Sequence, residues 1–337
     1  MPCNMSVNPG LLAAILVPAI LLLAGGAFAV AMNSYCDKLF AKIYRRPRPL
    51  PQVDRSPKSI DQSTIFGRGR NWFYTYRNEW LNVSMHSFDG TALSAYFRPS
   101  SDRSCRNMVI LIHGYNEQPS QMAAYAKLLM KKVQCNCLIL HMRSHGMSGG
   151  KYFTYGLRES VDLEPWFEFT RKRLGDNCRI YICARGIGAT AALLAAQQPG
   201  FCPNVCGIIA DSPASSLTGV LRSAAAEEYH MRPDFFLYRI RKLTSKRFGF
   251  DINMCDCALN AGKIKVPVLI FEGGDDHITV PSEVRGIYDN LRSAKRMIVV
   301  DGAGHLESYE RAQALYEKEV QKFIESCVVR LVKIGRL

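Results

Sequence analysis

The segment with the clearest chemical signature is Arg179–Leu194, which reads Arg-Ile-Tyr-Ile-Cys-Ala-Arg-Gly-Ile-Gly-Ala-Thr-Ala-Ala-Leu-Leu. An apolar run, a turn of small residues and an alanine-rich run predict a strand, a sharp turn and a helix. In G-x-S-x-G turns of this kind the serine is a nucleophile, and its small neighbours let the backbones approach. Ala184 and Gly188 hold the flanking positions, but Gly186 stands where the serine is required. The usual covalent intermediate therefore cannot form at this turn.

Several other hydroxyl or thiol groups are candidates to replace the missing serine. Cys183 lies three residues earlier, inside the predicted strand, where burial would leave its thiol inert. Four serines follow predicted strands, but none lies on a turn that presents a nucleophile between a base and oxyanion donors. These are Ser148, Ser212, Ser215 and Ser216. We expect none of them to substitute for the serine.

An acid and a base follow the turn in the order nucleophile, acid, base. Asp276 comes after an apolar run and two glycines, where a carboxylate can accept a hydrogen bond from an imidazole; Asp275 is its rival, and a turn-capping role is the alternative. His305 follows the last apolar run through Gly302-Ala-Gly304, a position suited to a general base. A histidine that merely packs beside the loop is the other interpretation.

Backbone groups complete the predicted site. His113-Gly114 ends an apolar run in a tight turn, so the N–H groups of Tyr115 and Ile187 can form an oxyanion hole. Backbone donors do not depend on the serine side chain, and we expect them to persist without it.

Predicted strands and helices alternate along the chain, and these elements must position the candidate site residues. Trp80–Ser87 and Ala92–Phe97 flank Asp89-Gly90 and predict an antiparallel hairpin. Six further apolar runs alternate with helical stretches, which predicts a parallel sheet with crossover helices. Residues 212–263 interrupt this alternation with helical pieces, and we interpret them as a cap over the carboxyl ends of the strands, with plain helical packing as the alternative.

In this order the motifs resemble the α/β-hydrolase family, especially bacterial membrane-anchored members of its serine aminopeptidase-like and acyl-thioesterase-like branch. The resemblance covers residues 66–326 and rests on six pieces: Leu111–Tyr115, His141–Ser148, the turn at Gly186, Ile209–Pro213, Phe271–Asp276 and Gly302–Tyr309. It implies a mostly parallel central sheet with helices on both faces and a small helical cap. It also implies ester, thioester or amide hydrolysis by a triad at positions 186, 276 and 305.

The sequence departs from the family pattern at two places. Gly186 replaces the serine, and His141 stands where the family motif usually begins with aspartate, which puts the bracing of that loop in doubt. We interpret His141 and His145 as structural, and Arg143 as a support for the loop.

The N-terminal region predicts a membrane anchor. Leu11–Met32 is uncharged, apolar and long enough to cross a bilayer; a cleaved signal peptide is the alternative, although residues 2–10 carry no Lys or Arg. Basic residues crowd the segment after it, which favours the cytoplasmic side for the folded domain. The proline-rich residues 33–65 predict a linker, and the hydrolase-like domain is expected over 66–337.

Charge and cysteine content indicate which kinds of partner, metal or cofactor the protein is expected to bind. The net charge of +14 suits a protein beside anionic lipid headgroups, and no nucleic-acid-binding motif accompanies it. The 12 cysteines suit reduced thiols and form no plausible ligand quartet, so we expect no metal and no cofactor.

Together these features predict a single-pass membrane protein with a hydrolase-like pocket that lacks its nucleophile. Its expected role is to bind an acyl or peptide-like ligand, or a protein partner. Two alternatives remain: a hydrolase in which His305 and Asp276 activate water, and a serine hydrolase altered at position 186.

Overall fold

One eight-stranded sheet forms the centre of the computed structural model, which describes residues 9–45, 60–227, 232–333 and 335. All eight predicted strands are present. They are β1 (Leu81–His86), β2 (Ala92–Arg98), β3 (Asn107–Ile112), β4 (Asn136–His141), β5 (Arg179–Arg185), β6 (Val205–Asp211), β7 (Val268–Gly273) and β8 (Lys295–Val300).

The strand order is β1-β2-β4-β3-β5-β6-β7-β8. The pairs β1–β2 and β2–β4 are antiparallel, and the remaining pairs are parallel. Side chains alternate between two cores: Ile182 and Ala184 face one, whereas Cys183 faces the other. Helices cover both faces, which explains why the inner strands are continuously apolar.

Helices flank the sheet at nearly every predicted position. They are α1 (Pro9–Tyr44), α2 (Ile65–Thr75), α3 (Ala123–Lys132), α4 (Leu157–Val161), α5 (Glu164–Leu174), α6 (Ile187–Ala196), α7 (Leu217–Glu227), α8 (Pro233–Phe248), α9 (Pro281–Asn290), α10 (Ser308–Arg311) and α11 (Gln313–Lys333). Two helices, α4 and α5, connect β4 to β5. Pro165 explains the break between them, because it lacks an N–H and is tolerated only in the first turn of a helix.

The N-terminal helix is longer than the predicted span. Residues Ala13–Tyr44 form one helix that is long and apolar enough to cross a membrane. Its first part is exposed, with Leu22 at 76% and Phe28 at 66%, whereas Phe40 and Tyr44 are fully buried. The prediction of a linker from residue 33 is therefore wrong as far as residue 44, because an apolar helix face there packs on the domain.

The rest of the predicted linker falls mostly outside the described residues, which omit 46–59. The domain resumes with α2 at Ile65, one residue before the predicted boundary. Between β6 and β7, helices α7 and α8 form the predicted helical insertion, and α8 packs against the buried end of α1. The insertion and the N-terminal helix are thus neighbours.

Candidate active site

The turn between β5 and α6 has the backbone expected of a nucleophile turn. Gly186 has φ 54° and ψ −129°, in the positive-φ region that disfavours residues with a side chain. A Cβ at Gly186 would lie 3.5 Å from the Gly114 Cα and 3.6 Å from a Leu306 methyl group, which are ordinary contacts. A Cβ at position 186 therefore meets no close contact, and the cost of a side chain there comes from the positive φ.

Gly188 shows why a small residue follows the turn. A Cβ there would lie 2.5 Å from the His113 carbonyl oxygen and 2.7 Å from that of Ile112. Helix α6 therefore approaches the end of β3 so closely that only glycine fits, as the motif spacing predicts.

The predicted acid and base are in direct contact. His305 Nδ1 lies 2.7 Å from Asp276 Oδ2, and the side chain of Asp276 is fully buried while that of His305 is 22% exposed. The N–H groups of Ile278 and Thr279 each donate to Asp276 Oδ1 at 2.8 Å. Asp275, by contrast, is exposed. Asp276 is therefore the carboxylate that orients His305.

Opposing effects act on the pKa of Asp276. Burial raises the pKa of this carboxyl, but its hydrogen bond to His305 and the attraction between the two groups outweigh that effect and lower the pKa to about 2. An ionised Asp276 requires His305 to donate through Nδ1, which leaves Nε2 as the acceptor. This tautomer is the one that a general base needs.

A second buried carboxyl lies beside this pair. Burial, followed by interaction with Asp276, raises the pKa of Glu272 to about 10, so Glu272 is protonated at neutral pH. The hydroxyl of Thr279 donates to Asp276 Oδ2 at 2.7 Å and lies 3.2 Å from His305 Nδ1. The end of β7 thus holds one ionised and one neutral carboxyl.

A buried arginine joins the three loops of the site. Arg185 directly precedes Gly186, and its guanidinium lies 3.2 Å from the Glu117 carboxylate and donates to the Leu306 carbonyl at 3.3 Å. Glu117 in turn accepts a hydrogen bond from the Gly114 N–H at 2.7 Å. The loops that carry positions 114, 186 and 305 are consequently held together.

Neutral histidines brace the predicted oxyanion loop. His113 Nε2 accepts from the Met142 N–H at 3.1 Å, and His145 Nε2 accepts from the Asn116 N–H at 3.1 Å. Burial lowers the pKa of His113 well below its usual value, which keeps the ring neutral. Tyr115 lies in this loop, and its ring stacks on that of Tyr155 with centroids 5.8 Å apart.

The second predicted oxyanion donor lies at the start of α6. Ile187 is the first residue of that helix, so its N–H has no partner within the helical ladder. The oxyanion role of Tyr115 and Ile187 stays a prediction.

The loop that departs from the family motif is held by different contacts. His141 Nδ1 accepts from the Met147 N–H at 3.1 Å, and the Ser148 hydroxyl donates to the His141 carbonyl at 2.6 Å. Arg143 pairs with Asp162 at 2.6 Å and with Asp89 at 2.7 Å. The loop is thus braced without the aspartate.

The candidate replacement nucleophiles are engaged elsewhere or buried. Burial raises the pKa of the Cys183 thiol well above its usual value. Ser215 donates to Glu283, Ser216 accepts from the Gly219 N–H, and Ser212 is fully buried after β6. In the described part of the chain, no group of three His, Cys, Asp or Glu side chains is arranged to hold a metal ion.

Sequence reasoning did not identify Arg185, Glu117, Glu272 or Thr279 as parts of the site. The available signal was the position of Arg185 and Glu272 at the ends of apolar strands, where a charged residue must find a partner. Glu117 and Thr279 lie in polar loops, and only the tertiary structure gives them a role.

Solved structures share this architecture. Esterase Pf2001 of Pyrococcus furiosus superposes with a TM-score of 0.61 at 21% identity, over 85% of this chain and 97% of that one. The α/β hydrolase GrgF from Penicillium sp. sh18 gives a TM-score of 0.56 at 15% identity, over 73% and 98%. The chain has the α/β-hydrolase fold.

Two further proteins are similar to this chain, one in structure and one in sequence. Est1E from Butyrivibrio proteoclasticus, solved with ferulic acid bound, superposes with a TM-score of 0.55 at 16% identity, over 73% of this chain and 99% of that one. The uncharacterized protein YqkD of Bacillus subtilis (strain 168) is 28% identical over 222 residues, covering 65% of this chain and 72% of that protein. No family model matches the sequence.

Proposed function

We propose that this protein is a membrane-anchored pseudo-hydrolase that binds an acyl or peptide-like ligand in a site built for ester, thioester or amide hydrolysis. The observation that carries the proposal is the Asp276–His305 pair, intact at 2.7 Å beside a nucleophile turn whose central residue is glycine. The hydrolase-like surroundings are retained while the covalent step is lost. Esterases among the structural neighbours support the ligand class.

A second candidate is hydrolysis by an activated water. It is favoured by the ionised Asp276, which accepts from Nδ1 of a neutral His305 and so leaves Nε2 able to accept a proton from a water. Triads without their nucleophile retain an acceleration of roughly 10³–10⁴ over water, far below that of an intact enzyme.

Four versions of the full chain in detergent separate these candidates: the natural sequence, His305→Ala, Gly186→Ser, and Gly186→Ser with His305→Ala. Each is assayed with short acyl esters and aminoacyl amides, and with a fluorophosphonate probe. We expect only Gly186→Ser to react with the probe, because a Cβ at position 186 meets ordinary contacts and His305 can activate the added hydroxyl.

Two other results would change the assignment. Ordinary enzymatic turnover by the natural sequence, abolished by His305→Ala alone, would replace the binding proposal with the water mechanism. Inactivity of Gly186→Ser would show that the site is closed to these substrates and would remove the support for a hydrolase-like pocket.

A further inference from the structure

The exposed side of α8 carries an ordered stripe of side chains. Phe235, Tyr238, Lys242 and Lys246 follow one another at intervals of three or four residues, which places them on one helix face. Phe235 is 43% and Tyr238 is 53% exposed, and the Lys242 ammonium lies 4.7 Å from the Tyr238 ring centroid. The opposite face of the helix is buried in the domain. The stripe thus joins exposed aromatic rings to basic side chains.

Two contacts fix the direction of α8 relative to α1. Arg239 hydrogen-bonds to the side chain of Asn33, and Arg247 lies 2.9 Å from Asp37. Earlier residues of α8 therefore lie beside earlier residues of α1, so the start of α8 is directed toward the exposed apolar part of the anchor. Phe235 lies about 6 Å closer to that part than Arg239 along the α8 axis, at 1.5 Å per residue.

The charge of this region matches a bilayer surface. Residues 232–248 contain six basic residues against the single acidic Asp234. Lys38 and Lys42, on the neighbouring turns of α1, are exposed as well. Basic residues attract anionic headgroups, and aromatic rings with a polar edge favour the membrane interface.

We propose that the Phe235–Tyr238–Lys242–Lys246 face of α8 docks on the anionic leaflet of the membrane that α1 crosses. The aromatic side chains enter the headgroup layer and the lysines contact lipid phosphates. The cap is then held against the bilayer at a fixed orientation, instead of rotating about the anchor. This docking rests on the proposed anchoring by α1 and is independent of the chemistry at Gly186.

The test measures how deeply labelled positions of the full chain lie in the bilayer of a nanodisc. Every described cysteine is buried, so with Cys3→Ser a single introduced thiol can be labelled with an environment-sensitive fluorophore. Three labelled positions are compared: Leu22→Cys in the anchor, Phe235→Cys in α8, and Val329→Cys on α11, an exposed site on the opposite face of the sheet. Separate nanodiscs carry a quencher on the lipid acyl chain, which reports on position 22, or at the headgroup, which reports on positions 235 and 329; both are made in phosphatidylcholine with or without phosphatidylserine.

We expect quenching at positions 22 and 235 and none at 329, with the signal at 235 at least about twofold stronger when phosphatidylserine is present. Lys242→Glu with Lys246→Glu should reduce quenching at 235 to the level at 329 while leaving position 22 unchanged. The two lysines are exposed, so the thermal midpoint should not move.

Other outcomes overturn the proposal in distinguishable ways. Quenching at 22 with none at 235 would leave the anchor in place and remove the docking of α8. Absence of quenching at 22 would remove the anchor and the docking together. A signal at 235 that changes with protein concentration in detergent, and not with lipid charge, would assign the face to a second copy of the chain.

Discussion

At the scale of single residues, the carboxyl groups of Glu272 and Asp276 oppose each other in their effect on stability. Asp276 has a folded pKa of about 2, below its value in an unfolded chain, so its contribution is present above that unfolded value and is lost as the pH falls toward 2. Glu272 has a folded pKa of about 10, far above its unfolded value. The folded state therefore holds a proton that the unfolded state releases, and stability falls as the pH rises from about 5 to 10.

Glu272→Gln should remove that pH dependence. A glutamine keeps the size and the neutral state of protonated Glu272, so the variant should gain stability over the natural protein as the pH rises. The slope of one coupled proton is about 1.4 kcal/mol per pH unit, and we expect a relative gain of about 1 kcal/mol or more between pH 6 and 9. Thermal midpoints measured across that range check this. Asp275→Asn, at the exposed neighbouring position, is the control; parallel pH profiles for Glu272→Gln and the natural protein would contradict the prediction.

At the scale of elements, the contact between β3 and the β5–α6 turn limits what can replace each glycine. Gly188→Ala would place a methyl group 2.5 Å from the His113 carbonyl oxygen, so the backbone at position 188 or at position 113 must move. Gly186→Ala meets ordinary contacts and carries only the cost of a sparsely populated backbone conformation, about 1–3 kcal/mol. We expect Gly188→Ala to cost at least about 1 kcal/mol more in the free energy of unfolding. Denaturant titrations of the two variants measure the difference, and equal costs would mean that α6 is not held against β3 as described.

The junction between α1 and α8 gives a second prediction at this scale. Phe40 is fully buried, with its ring 5.3 Å from that of Phe248, whereas Phe28 lies on the same helix and is 66% exposed. Phe40→Ala should destabilise the folded domain by about 3–5 kcal/mol, because it removes a large buried side chain. Phe28→Ala should leave the domain unchanged. Thermal unfolding in detergent compares them, and a small effect of Phe40→Ala would show that α1 is not part of the folded unit.

Element positions were predictable wherever a local pattern was unmistakable. The parallel strands are short apolar runs bounded by turns, and Asp276 and His305 lie beside glycine turns that mark strand ends. The end of α1 was missed because Cys36, Leu39, Phe40 and Ile43, although spaced as one helix face, are interspersed with charged residues and followed by prolines. Arg185 could not be placed, because its partners Glu117 and Leu306 are distant in sequence, and the role of Glu272 depends on a burial that only the tertiary structure creates.

At the scale of the whole molecule, the proposed membrane span and the folded domain share one continuous helix. The helix Ala13–Tyr44 is about 48 Å long at 1.5 Å per residue, whereas the hydrocarbon core is about 30 Å thick. The part of the helix that extends beyond the hydrocarbon core packs in the domain, where Phe40 and Tyr44 are buried. Positions 38–48 carry five basic residues just beyond the proposed span, which favours a cytoplasmic domain.

A single exposed thiol on the folded domain can test whether the domain is cytoplasmic. All described native cysteines are buried and would resist a bulky reagent, so the test uses Phe88→Cys, at a 67% exposed position in the turn between β1 and β2, with Cys3→Ser. In intact cells an impermeant maleimide should not label this thiol, and permeabilisation should make the labelling complete, because a cytoplasmic domain is shielded by the membrane. The same chain without Phe88→Cys measures background labelling. Full labelling in intact cells would place the domain outside, and the basic residues after the span would then no longer determine its orientation.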